Sequence, residues 1–299
     1  MLARTARPFA AALLVVVALA QSVSAQQPAM QWSAAEDAFG RKGVPQAADV
    51  MRFNFPRSDL TVRVGDVTLK PSFALGSWVA FLPTGGGKAM AMGDLVLLDS
   101  EVGAVMAELQ SGGVEQTALH NHLLNESPHV MYMHIMAEGD PAKIAAAVRA
   151  ALAKSATPIG AAPAGAPPSA DLDTAAIAKA LGVSGRLNGN VYQVSVPRSE
   201  TIMEMGHQLP PSMGVATAIN FQPTGPGKAA ITGDFVLRGS EVNPVIRAFK
   251  KNGIDATALH SHLIDSEPQL YFMHFWANDD ALKLARGLRE ALDQTKSKR

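Results

Sequence analysis

The chain has 299 residues, 47% of them hydrophobic, with 26 basic and 26 acidic side chains and a formal net charge of 0 at pH 7. This balance gives no reason to expect a nucleic-acid partner. There is no cysteine, which excludes disulfides, thiolate catalysis and cysteine-ligated zinc or iron–sulfur sites. The length is sufficient for one or two ordinary hydrophobic cores.

Residues 1–25 have the pattern of a secretory signal peptide. Arg4 and Arg7 precede an apolar run over residues 9–20, and residues 23–25 are the small residues Val-Ser-Ala of a cleavage site. This run is too short for a membrane-spanning helix, which needs about 20 apolar residues. The sequence therefore predicts export to the periplasm or the extracellular space by a cleaved signal peptide, with no transmembrane segment.

Two halves of the chain repeat each other at an offset of 140 residues. Between residues 81–102 and 221–242, fourteen of twenty-two positions are identical. The segment 154–171 is rich in Ala, Pro and Gly and has no apolar periodicity, which is typical of a linker. We predict a first repeat at 30–153 and a second at 172–296, joined by this linker.

Each repeat begins with strand patterns and continues with helices. Residues 77–83 and 89–98 flank a glycine turn as a hairpin, and a helix with Ser100 as N-cap is expected to follow. A second helix is expected from Pro141, with Asp140 as its N-cap. The order predicts an α+β fold, a tandem duplication of a mainly antiparallel sheet module with two helices (strands followed by β-α-β-β-α).

Three histidines recur in both repeats. The segments TALHNHLLNESPHVMYMH (117–134) and TALHSHLIDSEPQLYFMH (257–274) share nine of eighteen positions. If each segment forms a symmetric hairpin, its first and third histidines are cross-strand neighbours with Cβ atoms about 5 Å apart. The second histidine then points to the same face. The recurring residues are His120, His122 and His134 in the first repeat and His260, His262 and His274 in the second.

Three neutral imidazoles on a rigid sheet suit a first-row divalent metal with an open coordination position. We therefore predict one metal site in each repeat. Zinc is the leading candidate, although spacing alone does not separate it from Cu, Mn or Fe. Zinc lowers the pKa of a bound water to about 7, which suits hydrolysis. The alternative is that the histidines satisfy backbone groups or fill a polar cleft.

Two glutamates follow the paired histidines. Glu126 lies four residues after His122, and Glu267 lies five residues after His262, so their register differs by one. We predict that they are catalytic general bases or fourth ligands, with ordinary turn residues as the alternative. A Gly-Asp pair also recurs; its aspartates, Asp94 and Asp234, either orient a ligating imidazole or belong to turns and caps.

The motif TALHxHL…P…MH, with the preceding GDLVLLDSEV and GDFVLRGSEV, resembles the LppY/LpqO family of bacterial exported proteins over residues 33–153 and 172–294. The resemblance implies export and a shared tandem domain, and it implies no reaction. The lipid attachment of some exported proteins is not implied, because the chain lacks the cysteine that it requires.

Three functions are consistent with these residues. The first is metal-dependent hydrolysis, with water activated between histidines and a glutamate. The second is non-catalytic binding of a metal, a small molecule or a cell-envelope component. The third is a structural interaction role, in which the two modules pack face to face and the histidines are polar groups of their interface.

Overall fold

The computed structural model describes residues 30–160 and 169–298. The predicted signal peptide and residues 161–168 of the predicted linker lie outside the described residues. Within the described ranges, no helix combines the length and the apolar content that crossing a membrane requires.

The first repeat is an antiparallel sheet with helices on one face. Its elements are α1 (Ser33–Phe39), β1 (Val44–Pro45), β2 (Met51–Pro56), β3 (Arg63–Val64), β4 (Val67–Thr68), α2 (Pro71–Ala74), β5 (Gly76–Gly85), β6 (Lys88–Leu98), α3 (Asp99–Ser111), β7 (Glu115–His120), β8 (Glu126–Ser127), β9 (Val130–Gly139) and α4 (Pro141–Leu152). The main sheet has the strand order β1-β2-β5-β6-β9-β7, and β4-β3-β8 form a small separate sheet.

The second repeat has the same main sheet. Its elements are α5 (Thr174–Leu181), β10 (Arg186–Asn188), β11 (Val191–Pro197), β12 (Ile202–Glu204), β13 (His207–Leu209), a 3-10 helix (Pro211–Met213), β14 (Ala216–Gly225), β15 (Lys228–Leu237), α6 (Gly239–Lys251), β16 (Asp255–His260), β17 (Tyr271–Asp280) and α7 (Ala281–Leu292). The strand order is β10-β11-β14-β15-β17-β16, with β12 and β13 paired separately. The predicted α+β fold of two similar modules is therefore confirmed.

Local sequence accounts for the hairpin and for the second helix of the first repeat. β5 and β6 pair across a turn at Gly86 and Gly87, whose φ angles of 59° and 77° favour glycine. Asp140 accepts hydrogen bonds from the backbone N–H groups of Ala142 and Lys143, so it caps α4 as predicted.

The start of α3 differs from the prediction. The helix begins at Asp99, ahead of the expected N-cap Ser100. The Glu101 carboxylate accepts a hydrogen bond of 2.8 Å from the backbone N–H of Leu98, which satisfies that donor without a serine cap. Glu101 also binds the fully buried Arg57 at 2.7 Å. Arg198 and Glu241 repeat this pair in the second repeat at 2.7 Å, so these glutamates are structural.

Strand side chains divide each main sheet between two environments. On β9, Met133 and Ile135 join the core beneath the helices. Tyr132 and Met136 point the other way, into clusters shared with the second repeat. The inner faces of the two sheets therefore pack together, giving four layers in the order helices, sheet, sheet, helices.

Hydrogen bonds also join the repeats at this interface. The Gln222 side chain accepts from the backbone N–H of Lys70 at 2.8 Å and donates to the carbonyl of Thr68 at 2.9 Å. The Gln193 side chain donates to the carbonyl of Ser72 at 2.8 Å. Shared apolar clusters and these bonds make the two repeats one pseudo-symmetric unit.

Candidate metal centre

The histidine segments form a less regular hairpin than predicted. His120 lies opposite Tyr132, and His134 lies opposite Ala118. The predicted direct pairing of His120 with His134 is therefore wrong. Between the strands, β8 pairs with β3 instead of extending the hairpin, and a register shift interrupts β7 before Ala118. Directly opposed residues share a face of the sheet, so the first and third imidazoles still lie on one face.

The six recurring histidines form a single cluster between the two sheets. The ring centroids of His120 and His260 lie 3.6 Å apart. His122 stacks on His274 at 3.7 Å, and His134 meets His262 edge to face at 3.9 Å. Since His122 is equivalent to His262 and His134 to His274, this pairing is that of a two-fold symmetric contact. The structure thus brings together the residues that were predicted to form two separate sites.

Backbone carbonyls orient two of the rings. His274 Nδ1 lies 2.9 Å from the Gly233 oxygen, and His120 Nδ1 lies 3.0 Å from the Asn121 oxygen. A carbonyl only accepts, so each Nδ1 carries the proton and each Nε2 keeps its lone pair. These two Nε2 atoms are buried without a hydrogen-bond partner among the described residues. A metal-ligating histidine has the same arrangement, with its other ring nitrogen donating to a carbonyl.

Two sets of three nitrogens are close enough to hold one ion. In each set the ligand atoms lie within 4.8 Å of one another. Zinc–nitrogen bonds of 2.0–2.1 Å in a tetrahedral site require nitrogens about 3.4 Å apart, so modest side-chain rotations would complete either set. The sets are His120, His122 and His134, and His120, His260 and His274. His120 belongs to both.

Burial keeps the imidazoles neutral. Desolvation lowers the pKa of all six histidines, and it lowers the pKa of His260 to about 3. Neighbouring imidazoles lower the pKa of five of them further, because a second positive charge in the cluster would be repelled. Neutral rings are the form that binds metal, so the cluster is suited to metal binding at neutral pH.

Two buried aspartates face the cluster. The Asp94 carboxylate lies 3.7 Å from His122 Nε2 and 3.9 Å from His134 Nε2. Burial raises the pKa of Asp94 to about 8. Burial also raises the pKa of Asp234 well above its usual range, and the charge of Asp94 adds to this effect. Both aspartates were predicted either to orient a ligating imidazole or to belong to turns and caps, and in the structure both line the cavity beside the histidines.

A cavity of about 1410 Å³ opens between the two sheets. Four of the six histidines line its inner end together with both aspartates. The residues at the inner end are Asp94, Asp234, His122, His134, His262 and His274. The walls carry Arg52 and Trp78 from the first repeat and Gln193 and Arg186 from the second.

The two predicted glutamates lie elsewhere, because neither belongs to the lining of this cavity. Glu126 is buried in β8, and burial raises its pKa. His129 Nε2 lies 3.8 Å from it. Glu267 is exposed and pairs through its backbone with Met203. The one-residue slip between these glutamates thus corresponds to two different environments.

Arg52 and Trp78 were not singled out from the sequence because neither recurs. Arg52 lies opposite Ala80 on the neighbouring strand, and Gln193 lies opposite Asn220, which occupies the same position as Ala80. Gln193 is therefore the equivalent of Arg52, and Ala218 is the equivalent of Trp78. A comparison of the two repeats on the sheet face that carries the histidines could have identified these residues, because they differ there between the repeats.

Comparison with known families identifies the two repeats. The family described as Domain of Unknown Function (DUF1259) matches residues 33–154 and again residues 175–294. The chain belongs to this family. Each DUF1259 match covers one sheet with its helices, so the histidine cluster lies between two copies of the domain. The comparison with curated proteins gave no match.

Three solved structures show a weak likeness to this pair of DUF1259 domains. They are a trimeric bacterial microcompartment shell protein PduB (13% identity, covering 83% of this chain and 89% of that chain, TM-score 0.22), EtuB from Clostridium kluyveri (10%, 84% and 90%, TM-score 0.19), and the ethanolamine utilization protein EutL from Leptotrichia buccalis (9%, 85% and 95%, TM-score 0.19). TM-scores this low support no argument about function.

Proposed function

We propose that this protein binds a divalent transition metal between its two repeats, through histidines contributed by both. The observation that carries the proposal is the cluster of six imidazoles whose Nε2 atoms are all buried and have no hydrogen-bond partner among the described residues. A buried polar atom without a partner costs about 1–3 kcal/mol, and a metal ion would supply the missing partner. Of the two candidate sets, His120, His122 and His134 are the ligands predicted for the first repeat, whereas His120, His260 and His274 join the two repeats.

Zinc is our leading candidate for the metal. Imidazole nitrogens suit Zn, Cu, Fe and Ni, while the scarcity of oxygen ligands disfavours Mg and Ca. The buried carboxylates Asp94 and Asp234 lie where they could orient an imidazole or add one ligand. A three-histidine site with one open position would let a bound water or substrate reach the metal from the cavity.

Hydrolysis is the reaction that this arrangement supports best. Zinc bound by three histidines lowers the pKa of its water to about 7. Asp94 and Asp234 are better placed than the predicted glutamates to exchange a proton with that water. Burial raises the pKa of both, so each would act as a proton acceptor only once the charge of a bound metal had lowered its pKa. A non-catalytic carrier of a small molecule or envelope component is the second candidate, favoured by the size of the cavity.

Export belongs to the same proposal. The N-terminal pattern supports cleavage after residue 25, and the resemblance to the LppY/LpqO proteins, which the TALHxHL motif carries, supports a periplasmic or secreted location. The mass of the mature protein recovered from its native host tests this. A chain that begins at Gln26 agrees with the proposal, and an uncleaved chain in the cytoplasm contradicts it.

Elemental analysis tests the metal centre. Untagged protein purified from its native source is expected to contain about one equivalent of a single transition metal. The variant with alanine at all six recurring histidines is expected to contain none, provided that circular dichroism shows it folded. His129→Ala is the matched control, because His129 is outside the cluster and binds Asp99 at 2.9 Å. Metal-free wild-type protein that also fails to bind added Zn²⁺ would refute the proposal.

A further inference from the structure

The cavity has a symmetric inner end and asymmetric walls. At the inner end, His134 and Asp94 of one repeat face His274 and Asp234 of the other. On the walls, Arg52 and Trp78 correspond to the uncharged Gln193 and the small Ala218. A ligand that entered this cavity would therefore meet a different chemistry on each side.

Arg52 is positioned by contacts other than a close ion pair, although its charge also interacts at longer range with Asp94. Its guanidinium carbon lies 4.0 Å from the centre of the Trp78 ring, a cation–π contact. Nε donates to the Asn54 side chain at 3.1 Å, and Nη1 donates across the interface to the carbonyl of Ser212 at 3.5 Å. Among the described residues, no carboxylate forms an ion pair with Arg52 within 4.0 Å.

A second cation lines the same cavity. Arg186 projects from the second repeat, and it also has no ion-pair partner among the residues described. Burial lowers the pKa of Arg52 to about 10; the charge of Asp94 opposes this shift, and the charge of Arg186 adds a smaller lowering. Arg52 remains protonated at neutral pH, so two positive charges face one space.

We propose that the cavity binds an organic anion whose carboxylate or phosphoryl group pairs with Arg52. A guanidinium held over an indole presents its free N–H groups in the fork geometry that such anions recognise. Trp78 and Phe73 on the cavity wall would contact an apolar body of the ligand. The inference rests on the proposed function in one respect: the end of the ligand away from Arg52 would lie at the proposed metal centre.

Calorimetric titration with phenylphosphonate tests this inference. The full chain loaded with Zn²⁺ is expected to bind the probe, and Arg52→Gln, which introduces the residue of the equivalent position, is expected to weaken binding about 10- to 100-fold. Arg52→Lys keeps the charge but loses the fork, so an intermediate loss is expected. Arg63→Gln is the matched control, because Arg63 is exposed and lies outside the cavity lining. It is expected to leave binding unchanged.

Neutral benzamide separates charge recognition from packing, and its affinity is expected to be the same for wild type and Arg52→Gln. Failure to bind phenylphosphonate, equal affinity in wild type and Arg52→Gln, or an equal loss for benzamide would overturn the inference. Metal content measured on the same samples separates the two proposals. Zinc bound without Arg52-dependent binding of the anion refutes only this inference, and Arg52-dependent binding without zinc refutes only the metal centre.

Discussion

His120 and His260 occupy equivalent positions in the two repeats and stack on each other with ring centroids 3.6 Å apart and an interplanar angle of 27°. Equivalent residues touch each other only on an axis of two-fold symmetry. This pair therefore marks the pseudo-symmetry axis, and the other histidines are arranged around it.

His120→Ala is expected to weaken zinc binding more than His122→Ala or His274→Ala. His120 belongs to both three-nitrogen sets, whereas each of the others belongs to one. Its loss leaves neither set intact, and the affinity should fall by more than the roughly 10- to 100-fold that losing an outer-shell partner costs. Competition with a chromophoric chelator measures the affinities. Equal losses in all three variants would contradict the overlapping sets.

The shared histidine also limits the stoichiometry. One Nε2 lone pair binds one ion, so the two sets cannot both be filled by three histidines at once. The wild-type chain is expected to take up about one zinc ion with high affinity. Two ions of equal affinity would show that the six imidazoles divide in another way.

The stability of the metal-free protein is expected to be highest at about pH 6.5 to 7. The unfolded chain protonates its histidines below about pH 6.5, whereas the pKa of His260 in the folded chain is about 3 and burial lowers the pKa of the other five. Stability should therefore fall as the pH drops from 6.5 towards 3. Asp94 has the opposite sign: its pKa is about 4 in the unfolded chain and about 8 in the folded chain, so its contribution is lost progressively as the pH rises from about 4 to 8.

Urea unfolding of EDTA-treated protein across this range measures the effect. The variant with alanine at the six histidines is the control. Between pH 6.5 and 3 its free energy of unfolding should decrease much less than that of the wild type. A wild-type profile that is flat between pH 4 and 7 would contradict the buried, neutral state of the cluster.

Arg57→Met is expected to reduce the free energy of unfolding by about 3 kcal/mol. Arg57 is fully buried and binds Glu101 at 2.7 Å. Removing the guanidinium leaves the buried Glu101 carboxylate without its opposite charge. Lys251→Met is the control, since Lys251 forms an exposed pair with Glu290, and a much smaller change is expected. Urea denaturation measures both. Zinc content per folded chain should be unaffected, because neither residue lies at the cluster.

Gly233→Ala is expected to lower both stability and zinc affinity. A Cβ atom at Gly233 would lie 1.9 Å from the Ala218 carbonyl oxygen, so β15 would have to shift. The shift would displace the Gly233 carbonyl, which accepts the hydrogen bond from His274 Nδ1. Gly103→Ala is the control, because nothing lies within 4 Å of its added Cβ in α3. Alanine there should be neutral or slightly stabilising. Thermal unfolding and chelator competition check both expectations, and an unchanged zinc affinity in Gly233→Ala would contradict the positioning role.

The sequence was sufficient to predict the main hairpin and the two longer helices of each repeat, because they depend on local chemistry. The glycine turn of the β5–β6 hairpin and the Asp140 cap are examples. Recurrence of the histidines identified the residues of the cluster, but it did not predict that the two groups of three would meet between the sheets. Whether two hairpins remain apart or face each other depends on side chains that lie on the inner faces of both sheets, such as Met136 and Phe272.

The carboxylates show why spacing alone was not sufficient. Glu126 and Glu267 follow the histidines closely in sequence, but Glu126 pairs with β3 through β8 and Glu267 pairs with Met203, and both lie outside the cavity lining. Asp94 is distant in sequence and lies directly opposite His134 on the neighbouring strand. Pairing between β6 and β9 determines this contact, and no local pattern within either strand specifies it.

The two-fold pairing of the histidines has a consequence for the separate repeats. A single repeat that formed a homodimer through its inner face would build the same ring of imidazoles, but both of its walls would then be identical. Covalent fusion of the two copies removes that constraint, since each copy can change alone. Arg52 in one copy and Gln193 at the equivalent position of the other is a difference that a homodimer of identical repeats could not have.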